Sequence, residues 1–429
     1  MAANVINFGC RVNAYESGII KKNSENLGND YFIINSCAVT NEAERDLVKQ
    51  MQKIRKENPD SKIILTGCAA QIDPAKYTTY ADYILGNVEK LDADIYKEID
   101  SGKFEAKHER PTVARHEDKM FYQNTSNENI PNLMVGDIMS IVNFKPEEII
   151  EYESTRAIVQ VQNGCNHRCT FCIIPYGRGN SRSVPVGAVI STIKDLVSKG
   201  FKEVVLTGID LTDYGKDLPI QTNLSNLIGR ILANVPNLPR LRLSSIDVAE
   251  IDDAMFEILK SENRFMPFFH LSLQSGDDMI LKRMKRRHTR KQIIDFCNKA
   301  KVIRNNIGIG ADIIAGFPTE DDVAFNNSLE IIKECNIAFG HIFPFSPKSG
   351  TPAAKMPQIE KSIIKKRVQI LRHEAANQMN ILKKAMVGTM QKVLTEGTSK
   401  GKCENFITVD LQNIPHKENE IIVIDDFKF

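Results

Sequence analysis

Four short apolar runs in the first ninety residues each end in a turn, and amphipathic stretches separate them. The runs are "NVINFG" (4–9), "YFIINS" (31–36), "KIILTG" (62–67) and "YADYILG" (80–86). Between them, Tyr15 to Leu27 and Glu42 to Lys56 have helical composition and spacing. Strand then helix, repeated, predicts a parallel sheet with helices on its faces. Ligands on such sheets gather at the carboxyl ends of the strands. Cys10, Cys37 and Cys68 each fall just past such an end, so one sheet edge can collect all three.

The rhythm pauses and then resumes. "QNTSNENIPN" (123–132) is polar and turn-rich and reads as part of a linker or crossing segment over 111–150. From Arg156 onward six more strand candidates follow: 157–164, 203–208, 240–245, 268–275, 307–318 and 338–346. Helical segments separate most of them, which predicts a partial parallel barrel with its site at the strands' carboxyl ends. A long basic helix over 361–384 leads to a tail with strands near 389–396, 405–411 and 420–425. The expected fold class is therefore α/β: an N-terminal parallel α/β sheet domain (1–110), a linker (111–150), a central partial (βα)6 barrel (151–384) and a small C-terminal β domain (385–429). A chain of 429 residues is long enough for such a division.

Composition narrows the setting. The formal net charge is only +2, so any nucleic-acid argument must rest on local clusters. No run of 18 apolar residues exists, and the first ten residues lack the charged start and apolar stretch of a secretory signal. A cytoplasmic protein that does not enter a membrane is expected. Nine cysteines, an odd count, then argue against a disulfide framework and leave ligation, catalysis or burial.

"VQNGCNHRCTFCIIPYGRGNSRS" (161–183) places Cys165, Cys169 and Cys172 directly after the first barrel strand. Three thiolates on a [4Fe–4S] cube leave one iron open to another ligand. Structural zinc prefers four ligands, often as paired C-x2-C motifs, and no second pair follows. A C-x2-C redox motif would use Cys169 and Cys172 but leave Cys165 without a purpose. Cluster ligation accounts for all three, while zinc and redox readings each leave a residue over or a ligand short. Cys297, Cys335 and Cys403 have no such setting and read as structural.

C-x3-C-x2-C closing the first strand of a six-unit barrel resembles the radical S-adenosylmethionine superfamily. That resemblance implies a cluster whose open iron is chelated by S-adenosylmethionine, which reduction cleaves to a 5′-deoxyadenosyl radical. "LTGID" (206–210), "LSSID" (243–247), "LSLQSG" (271–276) and "ADIIAGFP" (311–318) match the superfamily in order. The resemblance implies cofactor contacts at Thr207, Gly208, Asp210, Ser244, Ser245, Gln274, Asp312 and Phe343.

"NFGCRVNAYES" (7–17), "INSCAVTNEAERD" (34–46) and "LTGCAAQ" (65–71) together resemble the methylthiotransferases. Carried over, Cys10, Cys37 and Cys68 hold an auxiliary [4Fe–4S] cluster, and Cys165, Cys169 and Cys172 hold the radical cluster. "GCRVNAYES", "CAVTNEAERD" and "HIFPFSPKSGTPAAKM" (341–356) resemble the branch acting on N6-threonylcarbamoyladenosine beside the tRNA anticodon. The same chemistry on isopentenyladenosine or on a ribosomal-protein aspartate is the nearer alternative. A non-catalytic zinc- or cluster-bearing RNA-binding protein is the alternative of another class. The implied reaction inserts sulfur at an unactivated aryl C–H bond, which no side-chain acid or base can open, so the cofactor must supply the radical. It also requires an electron donor of flavodoxin or ferredoxin type and a source of sulfur.

Substrate contact is expected along "KRMKRRHTRK" (282–291), with Lys282, Arg283, Lys285, Arg286, Arg287 and Arg290 as candidates for the phosphates of the tRNA anticodon loop. The plainer reading is a solvated charged face. The tail from Gly388 resembles the start of a TRAM domain, a small RNA-binding β-barrel, though some forty residues are few for a closed one.

Overall fold

The computed structural model describes residues 2–108, 132–142, 155–425, 427 and 429. The chain forms two compact units, one built from 1–151, 163–182 and 346–355, the other from 152–162, 183–345 and 356–429.

The first unit is built on a six-stranded sheet. Its strands are β1 (Asn4–Asn7), β2 (Tyr31–Ser36), β3 (Lys62–Gly67), β4 (Tyr83–Leu85), β5 (Lys107–His108) and β6 (Leu133–Val135), in the order β1-β2-β3-β4-β6-β5. Every pairing is parallel. Successive residues of β2 and β3 pack on opposite faces, as the period of two demands. Ile33 and Ile64 join Ile20, Tyr96 and Ile99 in one core. Ile34, Ile63 and Leu65 meet Leu47, Met51 and Ile54 of the helix Asn41–Glu57 in the other. That helix starts where the Thr40 hydroxyl accepts from the Ala43 amide, with Glu42 and Glu44 in its first turn and Arg55 and Lys56 in its last.

Two boundaries differ from expectation. Of the segment 111–150, residues 111–131 and 143–150 lie outside the described residues, but 132–142 supply β6, an inner strand of the sheet rather than linker. The cysteine loop 163–182 also belongs to the first unit, not to the barrel body, because its apolar Ile173 and Tyr176 pack into that unit's core.

The second unit carries the barrel strands: β7 (Arg156–Gln160), β8 (Glu203–Thr207), β9 (Arg240–Leu243), β10 (Ser245–Ile246), β11 (Phe268–Gln274), β12 (Gly308–Ala315) and β13 (Ile337–Pro344). They run parallel in two arcs, β9-β8-β7 and β10-β11-β12-β13. Ser244 alone separates β9 from β10, so the arcs are one interrupted six-unit barrel, as expected. Side-chain caps at Asn223, Asp252, Thr289 and Asp321 start the intervening helices.

The tail adds a four-stranded antiparallel sheet, β14 (Gln391–Glu396), β15 (Lys400–Cys403), β16 (Thr408–Asp410) and β17 (Ile421–Ile424), in the order β16-β15-β14-β17. It has its own core of Val393, Cys403, Val409, Leu411 and Ile424. It docks on the amino ends of the barrel strands: Arg240 donates to the carbonyls of Lys402 and Lys392, and Arg242 to that of Glu404. Glu203, the first residue of β8, lies between the two, 2.8 Å from the Arg242 Nε and 3.7 Å from an Arg240 terminal nitrogen. The tail thus seals the barrel end opposite the strands' carboxyl ends.

Candidate functional site

In the first unit, three adjacent strands deliver three cysteines. Cys10 precedes the helix Arg11–Asn23, Cys37 directly follows β2, and Cys68 opens the helix Cys68–Ile72 directly after β3. Gly67 makes the last turn possible: its φ is +94°, and a Cβ there would lie 2.4 Å from the Ser36 backbone. Cys10 is exposed, Cys37 half-buried and Cys68 buried. Burial, with the Cys68 sulfur second and Cys10 adding to it, pushes the Cys37 thiol up to about 11. Three thiols gathered at adjacent strand ends form a donor set that a cation would deprotonate, so the trio suits a metal cluster.

Behind the trio lies a buried charged network. Arg178 donates its Nε–H to the Cys68 Sγ at 3.2 Å, and its other nitrogens to Glu16 and Asn13. Glu16 also meets Lys90 Nζ at 2.6 Å, and Lys90 donates to Asn87 Oδ1 and Asn35 Oδ1. Burial alone would raise the Glu16 carboxyl, but the Arg178 and Lys90 charges outweigh it and hold it below its ordinary value. Burial lowers Lys90. None of these residues was singled out from the sequence; Asn13 and Glu16 sit in "GCRVNAYES" without a local signal of what they pair with.

The second cysteine set occupies a loop of the same unit. The Cys165 amide donates to Gly179 O at 3.0 Å and the Cys172 amide to Cys169 O at 3.1 Å, which closes the loop around the three half-buried thiols. The His167 amide points at the Cys165 Sγ, 3.4 Å away. No disulfide joins any of the nine cysteines. The donor set is three thiols on a backbone-tied loop, which suits a cube with one iron left for a further ligand.

In the second unit, the expected cofactor residues stand at the strands' carboxyl ends. Thr207 ends β8, and Gly208 leaves room for Gln162, whose Oε1 accepts from the Asp210 amide at 2.8 Å. Ser244 and Ser245 follow β9, Gln274 ends β11 with a φ of +69°, and Asp312 and Phe343 lie on β12 and β13. The Ser244 hydroxyl and the Gln160 side-chain oxygen are buried and find no hydrogen-bond partner among the described residues. Buried polar atoms of this kind fit a polar ligand that brings donors to them. S-adenosylmethionine is such a ligand.

Two histidines complete this region. His270 Nδ1 meets the Ser245 hydroxyl at 3.0 Å, and its Nε2 lies 3.7 Å from Asp312 Oδ1. His341 Nδ1 lies 3.4 Å from the same oxygen, and the two imidazole centroids are 4.7 Å apart. Along β12 the neighbours Ile313 and Ala315 are buried, whereas Asp312 and Ile314 are partly open on the other face. Period two could have found His341, which precedes Phe343 by two residues on β13, but the register shift between Leu271 and Gln274 breaks the same count from Gln274 back to His270.

The basic run is only partly available to a partner. Arg286 donates to Asp247 Oδ2 and Ser272 O, and Arg287 pairs with Glu250 at 2.8 Å. Arg290 donates to Gly276 O and Asn327 O and pairs with Glu334, and Arg283 bonds Thr319. Burial would raise the Asp247 carboxyl, but the His288 hydrogen bond and the Arg286 charge hold it well below the usual carboxylate range. Lys282 and Lys285 are exposed.

The described residues contain no helix long and apolar enough to cross a membrane. Residues 159–332 match the Radical SAM superfamily, and residues 2–86 match the uncharacterized protein family UPF0004. The chain is 46% identical over 411 residues to the threonylcarbamoyladenosine tRNA methylthiotransferase MtaB of Rickettsia prowazekii, spanning 95% of this chain and 90% of that protein. It is 33% identical to the protein of the same name from Thermotoga maritima, over 91% of this chain and 85% of that protein. It is 30% identical to the tRNA-2-methylthio-N(6)-dimethylallyladenosine synthase of Ehrlichia canis, over 93% and 89%. Among solved structures, the radical S-adenosylmethionine methyltransferase TsrM from Kitasatospora setae shares the fold, with a TM-score of 0.55 at 12% identity over 82% of this chain and 77% of that one. From the Cys165 loop, the strand-end residues and these relatives together, the chain is a radical S-adenosylmethionine transferase and belongs to the methylthiotransferase family.

Proposed function

We propose that the protein adds a methylthio group to C2 of N6-threonylcarbamoyladenosine beside the tRNA anticodon, using two [4Fe–4S] clusters. The observation that carries this reading is the presence of two three-cysteine sets within one compact unit. Cys165, Cys169 and Cys172 hold the cluster that binds S-adenosylmethionine, and Cys10, Cys37 and Cys68 hold the auxiliary one. With the cluster reduced, S-adenosylmethionine supplies the one-electron chemistry that breaks an unactivated aryl C–H bond. The chain's own residues bind and orient: Thr207, Gly208, Asp210, Ser244, Ser245, Gln274 and Phe343 take the cofactor at the strand ends, and Ser244 and Gln160 offer it buried polar atoms.

The polar layer of His270, Asp312 and His341, with His270 held by the Ser245 hydroxyl, favours the threonylcarbamoyl substrate. That arm carries a urea, a hydroxyl and a carboxylate, each able to pair with these side chains. An apolar isopentenyl arm in the same place would cover these groups without adding a hydrogen bond to them. Asp312, placed with the cofactor residues by resemblance, serves the substrate arm in this reading. The base is presented from a single-stranded loop, where leaving the stack is cheap. Electrons come from a flavodoxin- or ferredoxin-like donor, sulfur from a separate source, and the reaction is cytoplasmic.

The test is an anaerobic assay of reconstituted, reduced protein with S-adenosylmethionine and tRNA carrying threonylcarbamoyladenosine, read by mass spectrometry of digested nucleosides. A methylthio product that disappears in Cys165→Ala and in Cys68→Ala is expected. Formation of 5′-deoxyadenosine without modified nucleoside would reject this substrate, and iron-free protein binding zinc would reject the chemistry.

A further inference from the structure

We propose that Arg178 is a positioning residue for the N-terminal cysteine site, holding the Cys68 sulfur by hydrogen bond and charge and so setting the reduction potential of the cluster there. The proposal rests on the reading that Cys10, Cys37 and Cys68 hold a [4Fe–4S] cluster.

Arg178 is 1% exposed, one of the largest fully buried side chains in the protein. It ends the helix Ile174–Arg178, six residues beyond Cys172, and that helix packs on the helix begun by Cys68. Gly177 permits the approach, since a Cβ there would stand 3.3 Å from the Cys68 Cβ and 3.1 Å from the Ile72 Cδ1. The guanidinium is then fixed on three sides. Nε–H points at the Cys68 Sγ at 3.2 Å, one terminal nitrogen bonds Glu16 and the other bonds Asn13. Asn13 is in turn anchored to the carbonyls of Phe8 and Ser36, at the ends of β1 and β2.

A guanidinium recruited only for packing would spend its fork on carboxylates and carbonyls. Here the third edge faces a sulfur that the cluster would use. Glu16 is shared between Arg178 and Lys90, so this group of three carries one net positive charge behind the cysteines. Hydrogen bonds to the sulfurs and nearby charge are what set cluster potentials. A donor and a positive charge both stabilise the reduced, more negative cluster.

The experiment uses the full chain with Cys165, Cys169 and Cys172 all changed to Ala, reconstituted anaerobically so that only the N-terminal site can hold iron. Iron and sulfide content, circular dichroism, thermal melting and EPR-monitored redox titration are then compared with and without Arg178→Gln and Arg178→Lys. The expected result is a normal fold and a potential lowered in Arg178→Gln by about tenfold in the reduced-to-oxidised ratio, or about 59 mV for one electron. Arg178→Lys keeps the charge without the planar fork and shifts by less. Loss of iron from Arg178→Gln with the fold intact also supports the proposal, because a packing role alone would not empty the site. Full loading with an unmoved potential in both variants overturns it. Unfolding of both variants overturns it as well, by assigning Arg178 to the scaffold. Absence of iron before Arg178 is touched instead overturns the two-cluster reading beneath it.

Discussion

Asp312 and His341 face each other across the parallel pair β12–β13, with His341 Nδ1 3.4 Å from Asp312 Oδ1. His341 is the more open of the two, its side chain 60% exposed, while His270 on the other side is buried and held by Ser245. One histidine is thus fixed and the other can meet an incoming group.

If that group is the threonylcarbamoyl arm, His341→Leu removes a partner without disturbing phosphate contacts. The expected loss in kcat/KM is about tenfold to hundredfold, the equivalent of one polar group left unpaired. Affinity for the whole tRNA, measured by filter binding, should stay within about twofold. An unchanged kcat/KM would remove His341 from substrate recognition.

The buried charges at the amino ends of the barrel strands make a stability prediction. Glu203 is fully buried between Arg240 and Arg242, and Arg242 also stacks over Phe406, 5.0 Å from its ring centroid. Glu203→Ala leaves two arginines without their carboxylate and should cost about 3–5 kcal/mol in urea unfolding. Glu203→Leu combined with Arg242→Met should recover part of that, since it removes one of the two uncompensated charges and leaves Arg240. A loss below about 1 kcal/mol in the single variant would show that the tail sheet does not depend on this pair.

These residues also mark where sequence reading works and where it stops. β2 and β3 run from Tyr31 to Ser36 and from Lys62 to Gly67, the spans that their apolar runs and closing turns predict. The three cysteines at strand ends follow from the same pattern. β15, Lys400–Cys403, is absent from the strands that the sequence predicts because "KGKC" has no apolar alternation; Gly401 is needed where a Cβ would meet Val393 Cγ1 at 2.3 Å. β6 leaves little signal because it is three residues at the end of a polar stretch. Arg178 and Cys68 are 110 positions apart, and no local period connects them. The arginines of 282–291 read as one charged face, yet Asp247, Glu250 and Glu334 claim three of them from distant elements.

The three cysteines outside the two sets should behave as buried apolar side chains. Cys297, Cys335 and Cys403 are each 0% exposed, and burial pushes the Cys403 thiol up to about 12. At pH 8 only about one Cys403 in ten thousand is then thiolate, and the fraction rises tenfold per pH unit until the pKa is reached. Brief iodoacetamide treatment of the native, metal-free protein should label exposed Cys10 and leave these three unmodified in peptide mass spectra. Labelling of Cys403 at a rate close to that of Cys10 would contradict the buried assignment.

The basic run yields a prediction that separates phosphate contacts from scaffold. Arg286 holds Asp247 and Ser272, and Arg290 ties Gly276 and Asn327 together, so Ala variants at either should lower the melting temperature. Lys282 lies exposed on the same run. Lys282→Glu should leave the melting temperature unchanged while weakening tRNA binding. If Lys282 neutralises a phosphate of a single-stranded loop, the slope of log K against log salt should fall in magnitude by about 0.7. Binding measured between about 50 and 200 mM salt gives that slope directly. A slope unchanged by the substitution would mean that the run is a solvated face and that the phosphates are met elsewhere.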